Sequence, residues 1–115
     1  MMIQELQNLI EPAAAVLKAM ANPQRLKVLC LLAERDLSVG QLENLVGLSQ
    51  SALSQHLAKL RQDKLVRTRR ERQTIYYALN GRAALAIMTA LVELHRAPPE
   101  PAKRPIPQAI KPCRE

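Results

Sequence analysis

The sequence predicts a mostly α-helical domain that carries one small β-hairpin, and three observations point there. Apolar residues recur at steps of three and four through most of the first 97 positions, which is the spacing of helices that bury one face. Only residues 65–79 switch to alternation with a period of two, the pattern of strands. Finally, 48% of the 115 residues are hydrophobic, yet there is no Phe or Trp and only two Tyr. The core must therefore be aliphatic and helix-built, and a chain of this length makes one compact domain rather than two.

Ile3, Leu6, Ile10, Ala13, Leu17 and Met20 form a helical stripe over residues 3–20, interrupted by Pro12. Either a helix starts afresh with Pro12 in its first turn, or the first turns are kinked against the rest. Asn22 is positioned to cap a second helix with Pro23 at its first position, and Leu26, Leu29, Cys30 and Ala33 are its expected buried face. Ser38 caps a short third helix, VGQLENLV, which turns Leu42, Leu45 and Val46 inward and stops at Gly47.

Ser49 caps a fourth helix through about Arg61, with Leu53, Leu57 and Leu60 buried. Two helices joined by the short turn GLS make a helix-turn-helix. LVRTRR and TIYYAL, joined by ERQ, read as a two-stranded hairpin. Asn80 and Gly81 open a last helix whose stripe is Ala84, Ile87, Met88, Leu91 and Leu94, and Pro98 and Pro99 end it. The order α-α-α-α-β-β-α is that of a winged helix-turn-helix. The domain is expected to span residues 1–97. Six of the last 18 residues are Pro, so 98–115 reads as a solvated, flexible tail.

Lys and Arg number 17 against 10 Asp and Glu, a formal charge of +7. The excess is local: residues 1–36 carry four basic and four acidic groups, whereas residues 61–72, RQDKLVRTRRER, hold six basic residues against two acids. A neutral body with one basic segment suggests a polyanion met at a fixed place, with a merely solvated surface run as the alternative. There is no apolar run of about 18 residues and no signal-peptide pattern, so the expected setting is the cytoplasm, with no membrane partner. Cys30 and Cys113 lie far apart and match no zinc spacing. There is no nucleophile with a base, no pair of carboxylates and no glycine-rich phosphate loop among three glycines. The chain reads as a non-enzyme without a cofactor.

The fourth helix carries the most specific signal. With Leu53, Leu57 and Leu60 facing the core, Ser51, Ser54, Gln55 and Ala58 follow at i, i+3, i+4 and i+7 on another face. That face is short, flat and hydrogen-bonding. Gln can pair with adenine N6 and N7, Ser can meet several base edges, and a small Ala lets the helix lie close to a thymine methyl. The amino-terminal end of such a helix enters a major groove, and its free N–H groups can meet a phosphate. Arg69, Arg70, Arg72 and Gln73 near the hairpin tip would straddle the backbone or the minor groove, while Lys59, Arg61 and Lys64 flank on phosphates. Double-stranded DNA is the expected partner. The competing reading is a winged-helix module that binds protein without specific DNA contact.

The stretches LKAMANPQRLKVLCLL, GLSQSALSQHLAKLRQDKLV and RRERQTIYYAL, over roughly residues 13–96, resemble the ArsR/SmtB family of winged-helix repressors. The middle stretch is similar to a non-metal-sensing branch that regulates nodulation, and RLKVLCLL to a sulfide-responsive branch. The resemblance implies a homodimer, with the first and last helices at its interface, that binds an inverted-repeat operator and blocks transcription. It also implies DNA contacts at Gln50, Ser51, Ser54, Gln55 and His56, and in the wing near Arg70, Arg72 and Gln73. Independently, aliphatic stripes at both ends of so small a chain would leave apolar surface on a monomer.

Metal-sensing members place a Cys-x-Cys pair where this chain has Ser38 and Gly40, and soft metals need thiolates. The family's other metal site needs carboxylates and histidines on the last helix, which offers Glu93 and His95, two apart on diverging faces. No metal is expected, and His95 reads as an exposed polar residue near a helix end. Cys30 reads as a small hydrophobe on the core side of its helix. The resemblance adds a thiol-sensing role, with the partner cysteine's place taken by Arg96, so Cys30 and Cys113 remain a candidate redox pair. The inducer is not legible.

Overall fold

The computed structural model describes residues 2–96. The expected tail and Cys113 lie outside the described residues. Helices α1 (Met2–Gln7) and α2 (Ile10–Met20) precede α3 (Pro23–Glu34), a short strand β1 (Leu37–Ser38), α4 (Val39–Val46) and α5 (Gln50–Gln62). Strands β2 (Val66–Glu71) and β3 (Thr74–Leu79) and helix α6 (Ala83–Arg96) complete the chain.

The amino-terminal stripe is two helices, divided at Asn8 and Leu9. Of the two readings of Pro12, the fresh start holds: Pro12 is the third residue of α2, in the turn whose N–H groups have no intrahelical acceptor anyway. Asn22 caps α3 as expected, its Oδ1 accepting from the backbone N–H of Gln24 at 2.9 Å and of Arg25 at 3.0 Å. Ser38 and Gln41 form a reciprocal capping box at the start of α4, which ends at Gly47 in the left-handed region at φ 82°.

Helix α5 ends in a way the sequence hides. Leu65 N–H donates to Leu60 C=O and Lys64 N–H to Arg61 C=O, with Lys64 at φ 62°. This is the Schellman arrangement with Lys where Gly is usual, fastened by apolar contact between buried Leu60 and Leu65.

The core sits where α3, α5 and the sheet meet. Val28, Leu29, Leu42, Leu53, Leu57, Leu60, Leu65 and Val66 are all buried, and no polar or charged residue is buried among the described residues. The leucines expected on α5 are all there. On α3 the expected face needs correcting. Val28, Leu29 and Leu32 point into the core, whereas Leu26 is only half-buried and Cys30 and Ala33 are exposed. RLKVLCLL offers two adjoining apolar stripes that share Leu29. The sheet and α5 cover the first, while α6 covers the second only in part.

Cys30 is therefore not a core hydrophobe. Its thiol is exposed and lies 3.8 Å from the Met88 sulfur of α6. Leu45 also departs from expectation: Leu42 and Val46, four apart, share the buried face of α4, and Leu45 turns to solvent at 44% exposure. Along α6, Ala84 and Met88 are buried, but the stripe runs off the domain, leaving Leu94 68% exposed.

The wing has a third strand that two residues could not announce. β1 pairs antiparallel with β3 through Leu37 with Tyr77 and Ser38 with Tyr76, giving the order β1-β3-β2. β2 and β3 pair from Val66 with Leu79 to Glu71 with Thr74. The hairpin loop is thus two residues, Arg72 and Gln73, not the three of ERQ.

Candidate nucleic-acid interface

Helix α5 presents its polar half to solvent. Ser49 Oγ accepts from Ala52 N–H at 3.2 Å, which fixes the first turn, and Gln50, Ser51, Ser54, Gln55 and Ala58 are all exposed. Leu53, Leu57 and Leu60 hold the opposite side in the core, so the exposed face has one orientation. His56 is placed differently. It is half-buried on the flank, its Nδ1 lying 3.4 Å from an Arg25 guanidinium nitrogen. Lys59 lies 3.3 Å from Asp63, one turn on. The Lys59 side chain is 38% exposed and that of Asp63 18%, so the ammonium keeps a face to solvent while it neutralises the carboxylate.

The wing separates its arginines by role. Arg70, Arg72 and Gln73 are exposed at or beside the tip, with Arg72 in the left-handed region at φ 61°. Arg69, grouped with them from sequence, is committed elsewhere. Its Nε donates to Asp36 Oδ2 at 3.0 Å, a terminal nitrogen donates to Glu71 Oε1 at 2.9 Å, and the guanidinium lies 4.6 Å from the Tyr76 ring centre. The hydrogen bonds to Glu71, first, and Asp36 raise its pKa above the ordinary arginine value. Arg69 clips the wing to the chain before β1 instead of offering a free cation. Nothing in the spacing of Asp36 and Arg69 signals this pair, which the register of β3 between β1 and β2 creates.

Ser38, where metal-sensing sequences would carry a thiolate, serves as the cap of α4, accepting from Gln41 N–H at 3.2 Å. Among the described residues no group of three or more His, Cys, Asp or Glu is placed to hold a metal ion. His95 is exposed near the end of α6, its Nδ1 2.8 Å from Leu91 O. No helix among the described residues is long and apolar enough to cross a membrane.

A helix-turn-helix with an exposed polar face and a basic two-residue wing tip is the arrangement of a DNA reader. The sequence profile described as bacterial regulatory protein, arsR family, matches residues 22–68. The transcriptional activator HlyU of Vibrio cholerae is 48% identical over 95 residues, covering 83% of this chain and 88% of that protein. The chain belongs to the ArsR family. Nodulation protein NolR of Rhizobium meliloti is 54% identical over 85 residues, 74% of this chain and 70% of NolR. The crystal structure of the transcriptional repressor BigR from Xylella fastidiosa superposes with a TM-score of 0.77 at 35% identity, covering 85% of this chain and all of that one. This ArsR-family chain is accordingly a winged-helix, DNA-binding transcriptional regulator, and the protein-binding module is not favoured.

Proposed function

We propose that the protein is a dimeric repressor that binds an inverted-repeat operator, reading bases with the exposed face of α5. Gln50, Ser51, Ser54 and Gln55 meet base edges, while His56, Lys59, Arg70, Arg72 and Gln73 meet the backbone or the adjacent minor groove. The observation that carries this reading is the exposed polar face of α5, held by three buried leucines and flanked by cations that reach solvent. One recognition helix per chain and a two-fold dimer require half-sites about one helical turn, roughly 34 Å, apart, or a multiple of it. The protein acts without catalysis, and its working place is the cytoplasm, where the duplex is.

The test contrasts two substitutions. Gln55→Ala is expected to relax base preference and cost about 1 to 3 kcal/mol on the specific site, and Arg72→Ala to weaken specific and random duplex alike. Fluorescence anisotropy on both duplexes reads the difference. Equal losses from both changes on every sequence would make Gln55 a phosphate contact and remove α5 from the groove.

Release of DNA is proposed to be independent of zinc, cadmium or arsenite, since Ser38 and Gly40 supply no thiolate. A thiol switch fits better, because Cys30 is exposed and a reagent can reach it. Polysulfide treatment is expected to lower operator affinity in the wild type and to leave Cys30→Ser and Cys113→Ser unchanged, as a link between the two sulfurs requires. Three unaltered affinities would leave Cys30 as no more than a packing neighbour of Met88.

A further inference from the structure

One side chain ties the recognition helix to the rest of the domain. Arg25, in the first turn of α3, reaches two other helices. Its Nε donates to the Ala19 carbonyl, and a terminal nitrogen lies 3.4 Å from the Lys18 carbonyl, both at the carboxyl end of α2. The other terminal nitrogen lies 3.4 Å from His56 Nδ1 on α5. With Nε and one terminal nitrogen turned to backbone carbonyls of α2, the guanidinium has little freedom to turn away.

A guanidinium has donors and no acceptor. The ring nitrogen that faces it must therefore present its lone pair, and a neutral imidazole then carries its proton on Nε2. Within the described residues Nε2 makes no hydrogen bond, and it is not among the buried polar atoms left without a partner, so it is open to solvent. Successive helical residues differ by about 100°. His56 thus sits on the flank of the exposed face, next to Gln55 and one turn before Lys59, where a helix lying in a groove meets the sugar-phosphate wall.

We propose that Arg25 is a positioning residue for DNA binding: it locks His56 in the Nε2–H tautomer, making the ring a hydrogen-bond donor for a backbone phosphate oxygen. The other tautomer would turn a lone pair toward a phosphate, which only accepts. The proposal rests on the DNA-binding reading of α5 and assigns a role to a residue well outside the helix-turn-helix.

Two measurements test it. Long-range 1H–15N correlation spectra of the free protein report which ring nitrogen is protonated, with His95, the only other histidine, assigned by His95→Gln. Wild type is expected to show Nε2–H alone and Arg25→Ala a mixture of tautomers. In duplex binding, Arg25→Ala should lose roughly five- to tenfold, the worth of one hydrogen bond, on specific and random sequences alike. In a His56→Ala background the same change should cost less than about twofold. His56→Gln, whose amide nitrogen can occupy the place of Nε2, should retain most of the affinity. If Arg25→Ala does not fold, Arg25→Lys serves, since it keeps the charge but cannot reach α2 and His56 together.

Equal losses in both backgrounds would show that Arg25 acts through α2 alone, and an Nδ1–H ring in wild type would overturn the tautomer assignment. A loss confined to the specific sequence would overturn the phosphate contact. Wild type that binds no duplex would overturn the DNA-binding reading and this proposal with it, while the tautomer itself is read without DNA.

Discussion

Leu6→Glu combined with Leu94→Glu is expected to give a folded monomer whose operator affinity is lower by about a hundredfold or more. The two residues stand on α1 and α6, 46% and 68% exposed in the single chain, so neither substitution removes core packing. They are two of many exposed aliphatic side chains on the first and last helices. Met2 and Ile3 on α1, Leu9 between the helices, Ile10 and Leu17 on α2, and Leu85, Leu91 and Val92 on α6 are also exposed. Monomers rarely leave so many large aliphatic side chains in water, and burying each is worth about 1.5 to 3 kcal/mol. A carboxylate placed there must be desolvated without a partner, which costs more than the leucine contributed. The effect on DNA follows from linkage of sites: two recognition helices held at fixed spacing gain 10² to 10⁴ in affinity over one. Sedimentation and anisotropy together read the outcome. A double variant that stays dimeric would show that these stripes are not the interface, and a monomer with full operator affinity would show that dimerisation is not what positions the helices.

The parts legible from the sequence are those in which one local rule acts without competition. Asn22, Ser38 and Ser49 each cap the helix they announce, since a short side chain that accepts from a free N–H needs nothing beyond its own turn. Leu53, Leu57 and Leu60 are unambiguous because α5 has a single apolar stripe. Helix α3 has two, and the choice between the Val28 and Cys30 sides depends on how completely each neighbour covers it, which periodicity does not encode. The end of α5 was hidden for a related reason: Lys64 takes the left-handed conformation that Gly would have advertised, at a cost offset by Leu60 packing on Leu65.

In the interface the same division holds. Exposure of Ser51, Ser54 and Gln55 follows from the leucines opposite them, one helix period being enough. Arg69 and His56 could not be separated from their neighbours by type or spacing. What removes Arg69 from the free cations is Asp36, 33 residues earlier, and what turns His56 is Arg25, 31 residues earlier. Both contacts join elements distant in the chain, and a charge count over residues 61–72 treats all six cations alike. The structure removes Arg69 from that basic run, while Arg61, Lys64, Arg67, Arg70 and Arg72 stay exposed.

The seating of α5 yields the second large effect. Leu57→Ala is expected to destabilise the domain by about 2 to 5 kcal/mol, from lost transfer free energy and from a cavity that rigid neighbours fill only in part. Leu57 is 1% exposed, and Leu29 and Val28 of α3, beside it in the same core, are fully buried. With no Phe or Trp anywhere in the chain, no large ring is at hand to swing into the gap. Against a total of 5 to 15 kcal/mol for an ordinary domain, the loss is a large fraction. Gln55→Ala, two positions away but exposed, should change stability by less than about 0.5 kcal/mol. Urea unfolding must be compared at one fixed protein concentration, because association of folded chains adds to apparent stability. In dilute buffer, where Leu57→Ala is still mostly folded, its base preference should match wild type, since the lost side chain points away from the groove. A destabilisation under about 1 kcal/mol would mean that α5 is not seated on α3 through this residue, and with that the orientation of Ser51, Ser54 and Gln55 would lose its support.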